Sequence, residues 1–129
     1  MSYWYVATPY SRYPGGHEAA FVAAASHTAS LARAGLAVVS PVVATYPLVI
    51  HGGLRLTTFD EVFPLIGPMM DGTDGMIVVQ LEGWDESFGI SKERKIFTIG
   101  RKPIIDVPPQ IVMENPERVV SICKALCGE

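Results

Sequence analysis

The chain has no excess of positive charge. Ten Lys and Arg residues stand against thirteen Asp and Glu, for a formal net charge of −3, and no basic run occurs. A groove for a nucleic-acid polymer needs a positive stripe, so that class of partner is excluded. Long hydrophobic runs are lacking too. The most apolar stretch, "LAVVSPVVATYPLVI" at 36–50, is broken by Pro41 and Pro47 and falls short of the roughly 20 apolar residues that span a bilayer. The opening "MSYWYVATPYS" has neither the basic start nor the long apolar core of a secretory signal. Cysteine is scarce. Cys123 and Cys127, four apart, suit packing on one helix face better than a disulfide framework or a metal or redox pair. A soluble protein in a reducing cytoplasm, with no membrane partner, is the expectation.

Several chemical signatures are also missing. His17, His27 and His51 are scattered, with no H-E-x-x-H and no Cys/His cluster, so no metal site is signalled. The G-x-G-x-x-G spacing of a dinucleotide site is absent. "ESFG" at 86–89 is not the G-x-S-x-G elbow of a serine hydrolase.

What is present describes one compact domain, 1–129. The chain has 129 residues, 49% hydrophobic and 18% charged, enough for a single core and too short for two ordinary domains. "YWYVAT" (3–8), "LAVVS" (36–40), "GMIVVQL" (75–81) and "KPIIDV" (102–107) read as strands. The third is a continuous apolar run, as expected of a strand covered on both faces. Between them lie helical patterns. Phe21, Ala25, Thr28 and Leu31 fall at helical spacing before Gly35, a C-cap, and "TFDEVFPLIGPMMDG" (58–72) is a helix that Pro64 and Pro68 should shorten or kink. "SFGISKERKIFTIG" (87–100) follows, and "NPERVVSICKALCG" (115–128) opens with Asn115 as N-cap and Pro116 at the first helical position. Residues 41–58 have no clean period and read as a long loop. Alternating strands and helices predict an α/β fold, a small parallel sheet with helices on both faces in a flavodoxin- or Rossmann-like three-layer sandwich.

In such sheets ligands bind beyond the carboxyl ends of the strands. Two segments fall there, "TPYSRYPGG" after the first strand and "EGWDESFGISKE" after the third. The second holds an anomaly. At ~100° per residue from Ile90, Phe97 returns to nearly the same angle and Glu93 lies within the apolar arc. A carboxylate there is a helix out of phase, a buried ion pair, or a working group. Ser87 is a candidate N-cap, and Gly89 allows close approach of a ligand to backbone N–H groups at a helix start, although an ordinary cap has the same pattern. Tyr10, Ser11, Arg12 and the Gly15–Gly16 pair suit a phosphate or sugar site, or a plain turn. Asp71 and Asp74 lead into the third strand, as turn aspartates commonly do. Trp84 either stacks on a base or plugs its loop.

Taken together these segments resemble the nucleoside 2-deoxyribosyltransferase-like superfamily, from "YVATPYS" to "KPIIDV". The most specific part is "SFGISKE" (87–93), similar to the motif in which a serine, a glycine two residues on and a glutamate four further on line a nucleotide pocket. The short bacterial and phage branch shares "PYS" and "GW". The deoxynucleoside 5′-monophosphate N-glycosidases share a Gly-Gly pair after the first strand. The resemblance implies that Glu93 is a nucleophile attacking the anomeric carbon of a (deoxy)ribose, and that Ser87 and Gly89 hold a 5′-phosphate or the sugar's 5′ end. It places Tyr10, Ser11, Arg12, Gly16 and Trp84 around the substrate. It also implies no cofactor, a nucleoside or nucleotide as partner, and a homodimer or higher homo-oligomer, for which 36–50 is a candidate interface. The chain departs from the pattern where relatives carry an acidic aspartate: Ile66 stands there, with Asp71 as the substitute acid/base and Asp60 as a weaker alternative.

Overall fold

The structure is a computed structural model describing residues 1–129. Four strands and six helices follow one another as β1 (Tyr3–Ala7), α1 (His17–Arg33), β2 (Ala37–Val39), α2 (Pro41–Ile50), α3 (Phe59–Asp71), β3 (Gly75–Val79), α4 (Phe88–Ile99), β4 (Ile104–Val107), α5 (Pro109–Glu114) and α6 (Pro116–Leu126). A 3₁₀ turn, Trp84–Glu86, precedes α4.

The strands form one parallel sheet in the order β2-β1-β3-β4. The apolar runs explain the order. All of "GMIVV" in β3 is buried, as are the last four residues of β1, so these two strands take the centre. The shorter β2 and β4 take the edges, where one side of the ladder faces solvent. Strand alternation then sorts side chains into two cores. Trp4, Val6, Ile77 and Val79 pack with α1, α5 and α6, whereas Tyr5, Ala7, Met76 and Val78 pack with α3 and α4. The result is the three-layer α/β sandwich expected from the sequence. From β1 the chain goes first to β2 on one side, then crosses to β3 on the other, so the switch in strand order lies between the carboxyl ends of β1 and β3. No helix is long and apolar enough to cross a membrane.

Two expectations need correction. Residues 41–50 are helix, not loop. Ser40 supplies the N-cap, accepting a hydrogen bond from the Val43 N–H at 3.2 Å, and Pro41 occupies the first turn, where its missing N–H costs nothing. Burial of Pro41 and Val42 overrides the poor helix propensity of a Val-, Thr- and Pro-rich segment. Most of 36–50 is thereby packed into β2 and α2; Leu48 and Ile50 remain its exposed large apolar residues. The second correction concerns the shortening expected of α3, which instead runs from Phe59 to Asp71 with Pro64 and Pro68 inside it. The carbonyls those prolines leave without helical partners belong to Asp60 and Pro64, both exposed, where water can bond to them. Both ends of α3 are secured. Thr58 and Glu61 form a capping box, and Lys102 Nζ donates to the carbonyls of Met70 and Asp71 at 2.9 Å each. The short helix α5 was not visible as a pattern. It starts at Pro109 and buries Val112 alone.

Candidate functional site

Helix α4 starts at Ser87, whose Oγ accepts the Ile90 N–H at 3.2 Å. That start sets the helix phase. The residues then turned into the protein are Ile90, Glu93 and Phe97. Glu93 is 5% exposed, so the anomaly in the sequence is a true burial and not a misjudged phase. Nor is it an ion pair. The neighbouring cation Arg94 turns to the β4 edge and bonds both oxygens of Asp106, at 2.6 and 3.3 Å. The bond to Glu93 comes from the Tyr5 hydroxyl, which donates to Oε2 from the face of β1 that also carries Ala7.

A carboxylate held by one neutral donor among Ile, Met and Phe side chains is poorly solvated. Burial pushes the Glu93 carboxyl up to about 7, and the Tyr5 hydrogen bond opposes that rise by favouring the ionised form. Tyr5 is itself driven well above the ordinary phenol range, first by burial and then by the Glu93 charge, so it remains a donor. The pair therefore presents a carboxylate poised near neutrality. Tyr5 was missed in the sequence, where "YWYVA" reads only as strand. The available signal was a tyrosine inside a buried strand, whose hydroxyl must find a partner.

The remaining expected residues are divided between the two ends of the sheet. Ser87 and Gly89 sit at the carboxyl end. A Cβ added at Gly89 would meet only Ser87 Oγ, 3.9 Å away, so the space above this first helical turn is open. Unpaired N–H groups of that turn and the positive end of the helix dipole suit an anion. Trp84 is half-buried against the Tyr5 cluster. Tyr10 stacks on His17 with centroids 4.2 Å apart and meets Tyr46 edge-on at 6.3 Å. Burial and the neighbouring Tyr46 raise its phenol. Ser11, Arg12 and Gly16 are exposed in the same β1–α1 loop. Thr8, at the carboxyl end of β1, is 5% exposed and its hydroxyl has no partner. Nothing in the sequence singled it out.

Asp71 is not brought to this group. It ends α3 just before β3 begins, at the amino edge of the sheet, and its carbonyl is held by Lys102. Helices that return between parallel strands run against them, so the end of α3 lies at the opposite edge from the start of α4. The start of α3 is on the correct edge, where Phe59 meets Phe88 edge-on at 6.4 Å, and Asp60 follows it. Ile66, at the position expected to be acidic, is buried in the Tyr5 cluster. No group of three or more His, Cys, Asp or Glu side chains is placed to hold a metal ion.

The two loops flanking the switch point touch. Gly83 has φ of +93°, and a Cβ there would overlap the Arg12 carbonyl. Gly83→Ala should therefore destabilise the fold by about 1–3 kcal/mol in urea titrations, combining backbone strain with the clash. Gly16→Ala, at a similar φ of +94° but with nothing within 4 Å, should cost less. Equal losses would show that the loop contact contributes nothing.

The fold and the buried carboxylate define a Rossmann-like α/β protein with a candidate acid/base or nucleophilic centre between α4 and the central strand β1. The chain belongs to the family described as a domain of unknown function (DUF1937), whose sequence model matches residues 2–107. The match takes in all four strands and Glu93, and stops before α5 and α6. No curated protein matches the chain.

Proposed function

We propose that this protein cleaves or transfers the N-glycosidic bond of a nucleoside or nucleoside 5′-monophosphate, with Glu93 as the nucleophile. The observation that carries this reading is the burial of Glu93 without a counter-ion, on the helix that follows β3 and bonded by Tyr5 of β1. A carboxylate next to an anomeric carbon stabilises oxocarbenium character and can capture it. As the bond from C1′ to the base nitrogen breaks, its electron pair leaves with the base and a Glu93 oxygen forms an ester to C1′. Water then hydrolyses the ester, or a second base displaces it. The departing base needs a proton. Asp60, at the carboxyl edge, is better placed to give it than Asp71. Ser87 and the open turn at Gly89 receive the phosphate or the sugar's 5′ end, and Tyr10 and Arg12 border the substrate. The protein is proposed to work without a cofactor, as a homo-oligomer in the cytoplasm.

A second reading has its own support: the buried Ile66 removes the expected acid, as in a protein that binds a nucleotide without turning it over. Incubation with the common nucleosides and their monophosphates, followed by chromatography for free base, separates the two. Base release supports glycosidic cleavage. Ligand-induced stabilisation with no base released from any substrate would reject it in favour of binding.

A further inference from the structure

We propose that Arg94 and Asp106 are positioning residues for Glu93: their ion pair fixes the roll of α4 against the sheet and so keeps the carboxylate turned inward beside Tyr5. The inference rests on the reading of Glu93 as the working carboxylate, and it gives a role to two side chains outside the proposed substrate site.

Helix α4 has a reason to turn the other way. At ~100° per residue from Ile90, Phe97 lies at about −20°, Glu93 at about −60° and Ile96 at about −120°. Ile99 and Phe88 follow farther round on the same side, and both stand in solvent, 82% and 64% exposed. A roll of about a quarter-turn would bring Ile96 and Ile99 toward the sheet and carry Glu93 to the flank, where water reaches it. Lys92 falls between those isoleucines, and its long stem can carry the amine out to water. Burying a carboxylate costs free energy that such a roll would recover.

The contacts around Glu93 oppose the roll weakly. The Ser87 cap fixes where the helix begins, not which side of it faces the sheet. The one polar group that bonds Glu93 is the Tyr5 hydroxyl from β1. Ile66 and Met70 from α3, Met76 and Val78 from β3 and Ile104 from β4 complete the layer, and none of them is charged or titrates. Apolar burial of this kind has no preferred direction.

Arg94 supplies the directional contact. It lies at about +40°, on the flank opposite Ile96, and its guanidinium bonds both Asp106 oxygens at 2.6 and 3.3 Å. Asp106 is on β4, in register with Val78 of β3, so the pair ties helix to sheet. The two side chains are 37% and 35% exposed, where an ion pair adds little stability. A two-pronged bond between guanidinium and carboxylate is nevertheless specific in direction. A quarter-turn would swing Arg94 away from β4 and break it. The pair therefore governs where Glu93 points more than whether the chain folds.

Carbon-13 NMR of the Glu93 side-chain carboxyl during a pH titration of the full chain tests this. The resonance is assigned by its loss in Glu93→Gln, and circular dichroism confirms that each variant is folded. In wild type burial holds the carboxyl at about 7. Arg94→Met and Asp106→Asn should each admit water and weaken its proton affinity about tenfold or more, toward the ordinary 4.5. The sign is decisive. Removing a nearby cation from an unmoved helix can only raise a carboxyl, so a fall in Arg94→Met reports Glu93 turning to water. An unchanged or raised midpoint in Arg94→Met would overturn the assignment. So would opposite shifts in the two variants, the mark of charge acting alone. Base release plays no part in this readout, so failure here and failure of the proposed chemistry are told apart.

Discussion

Replacing Glu93 with glutamine is expected to lower base release by several orders of magnitude while making the protein more stable above neutral pH. Loss of activity follows from removing the only carboxylate the fold places beside Tyr5, and glutamine keeps the shape and still accepts the Tyr5 hydrogen bond. The gain in stability follows from linkage. The carboxyl of Glu93 lies at about 7 in the folded state, above the ordinary 4.5. The folded protein therefore binds the proton more tightly than the unfolded chain, and stability falls as pH rises from the lower value through the higher one. Below pH 4 both states are protonated and nothing is lost. By pH 8 the buried charge costs about 3 kcal/mol. Glutamine has no such titration, so the variant's advantage should be near zero at pH 4 and reach about 3 kcal/mol at pH 8, or roughly 10 °C in melting temperature. Thermal scans of both proteins across that range give the difference directly. A difference that does not change with pH would mean that Glu93 is solvated in the folded protein. Unchanged turnover would remove it from the mechanism.

The second large effect belongs to Tyr5→Phe. Tyr5 is the one hydrogen-bond donor to Glu93, and that bond favours the ionised carboxylate. Without it the carboxyl rises further above 7, so the pH–rate profile, which climbs as the nucleophile ionises, should shift toward alkaline pH. Activity at pH 7 should fall about tenfold or more, with part of it recovered at pH 9. The variant should also lose about 2 kcal/mol at pH 8, the usual worth of a buried hydrogen bond to a charged group. In a Glu93→Gln background the same change should cost only about 1 kcal/mol, because no charge is left unsupported. A lower rate with an unmoved midpoint would reduce Tyr5 to packing and contradict its role in positioning and ionising Glu93.

Sequence alone determined the architecture and located its anomaly. Alternating apolar strands and capped helices have periods and stop signals that are local, so the four strands, four of the six helices and the parallel sheet were legible, and β3 announced its cover on both faces by its unbroken apolar run. Glu93 was visible because helical phase is also local: Ser87 fixes where α4 begins, and everything after it turns at a constant angle. Tertiary structure decided the rest. Helix α2 forms because packing rewards a segment with poor propensity, and α3 survives two prolines because its unpaired carbonyls face water. The partner of Glu93 lies 88 residues away in the chain, brought opposite by the sheet register and the packing of α4, which no window of sequence contains. Asp71 illustrates the converse. It is close to β3 along the chain, yet a helix returning against the strands carries it to the wrong edge of the sheet. Residue type and spacing name the groups able to do chemistry; the direction in which each element runs decides which of them meet.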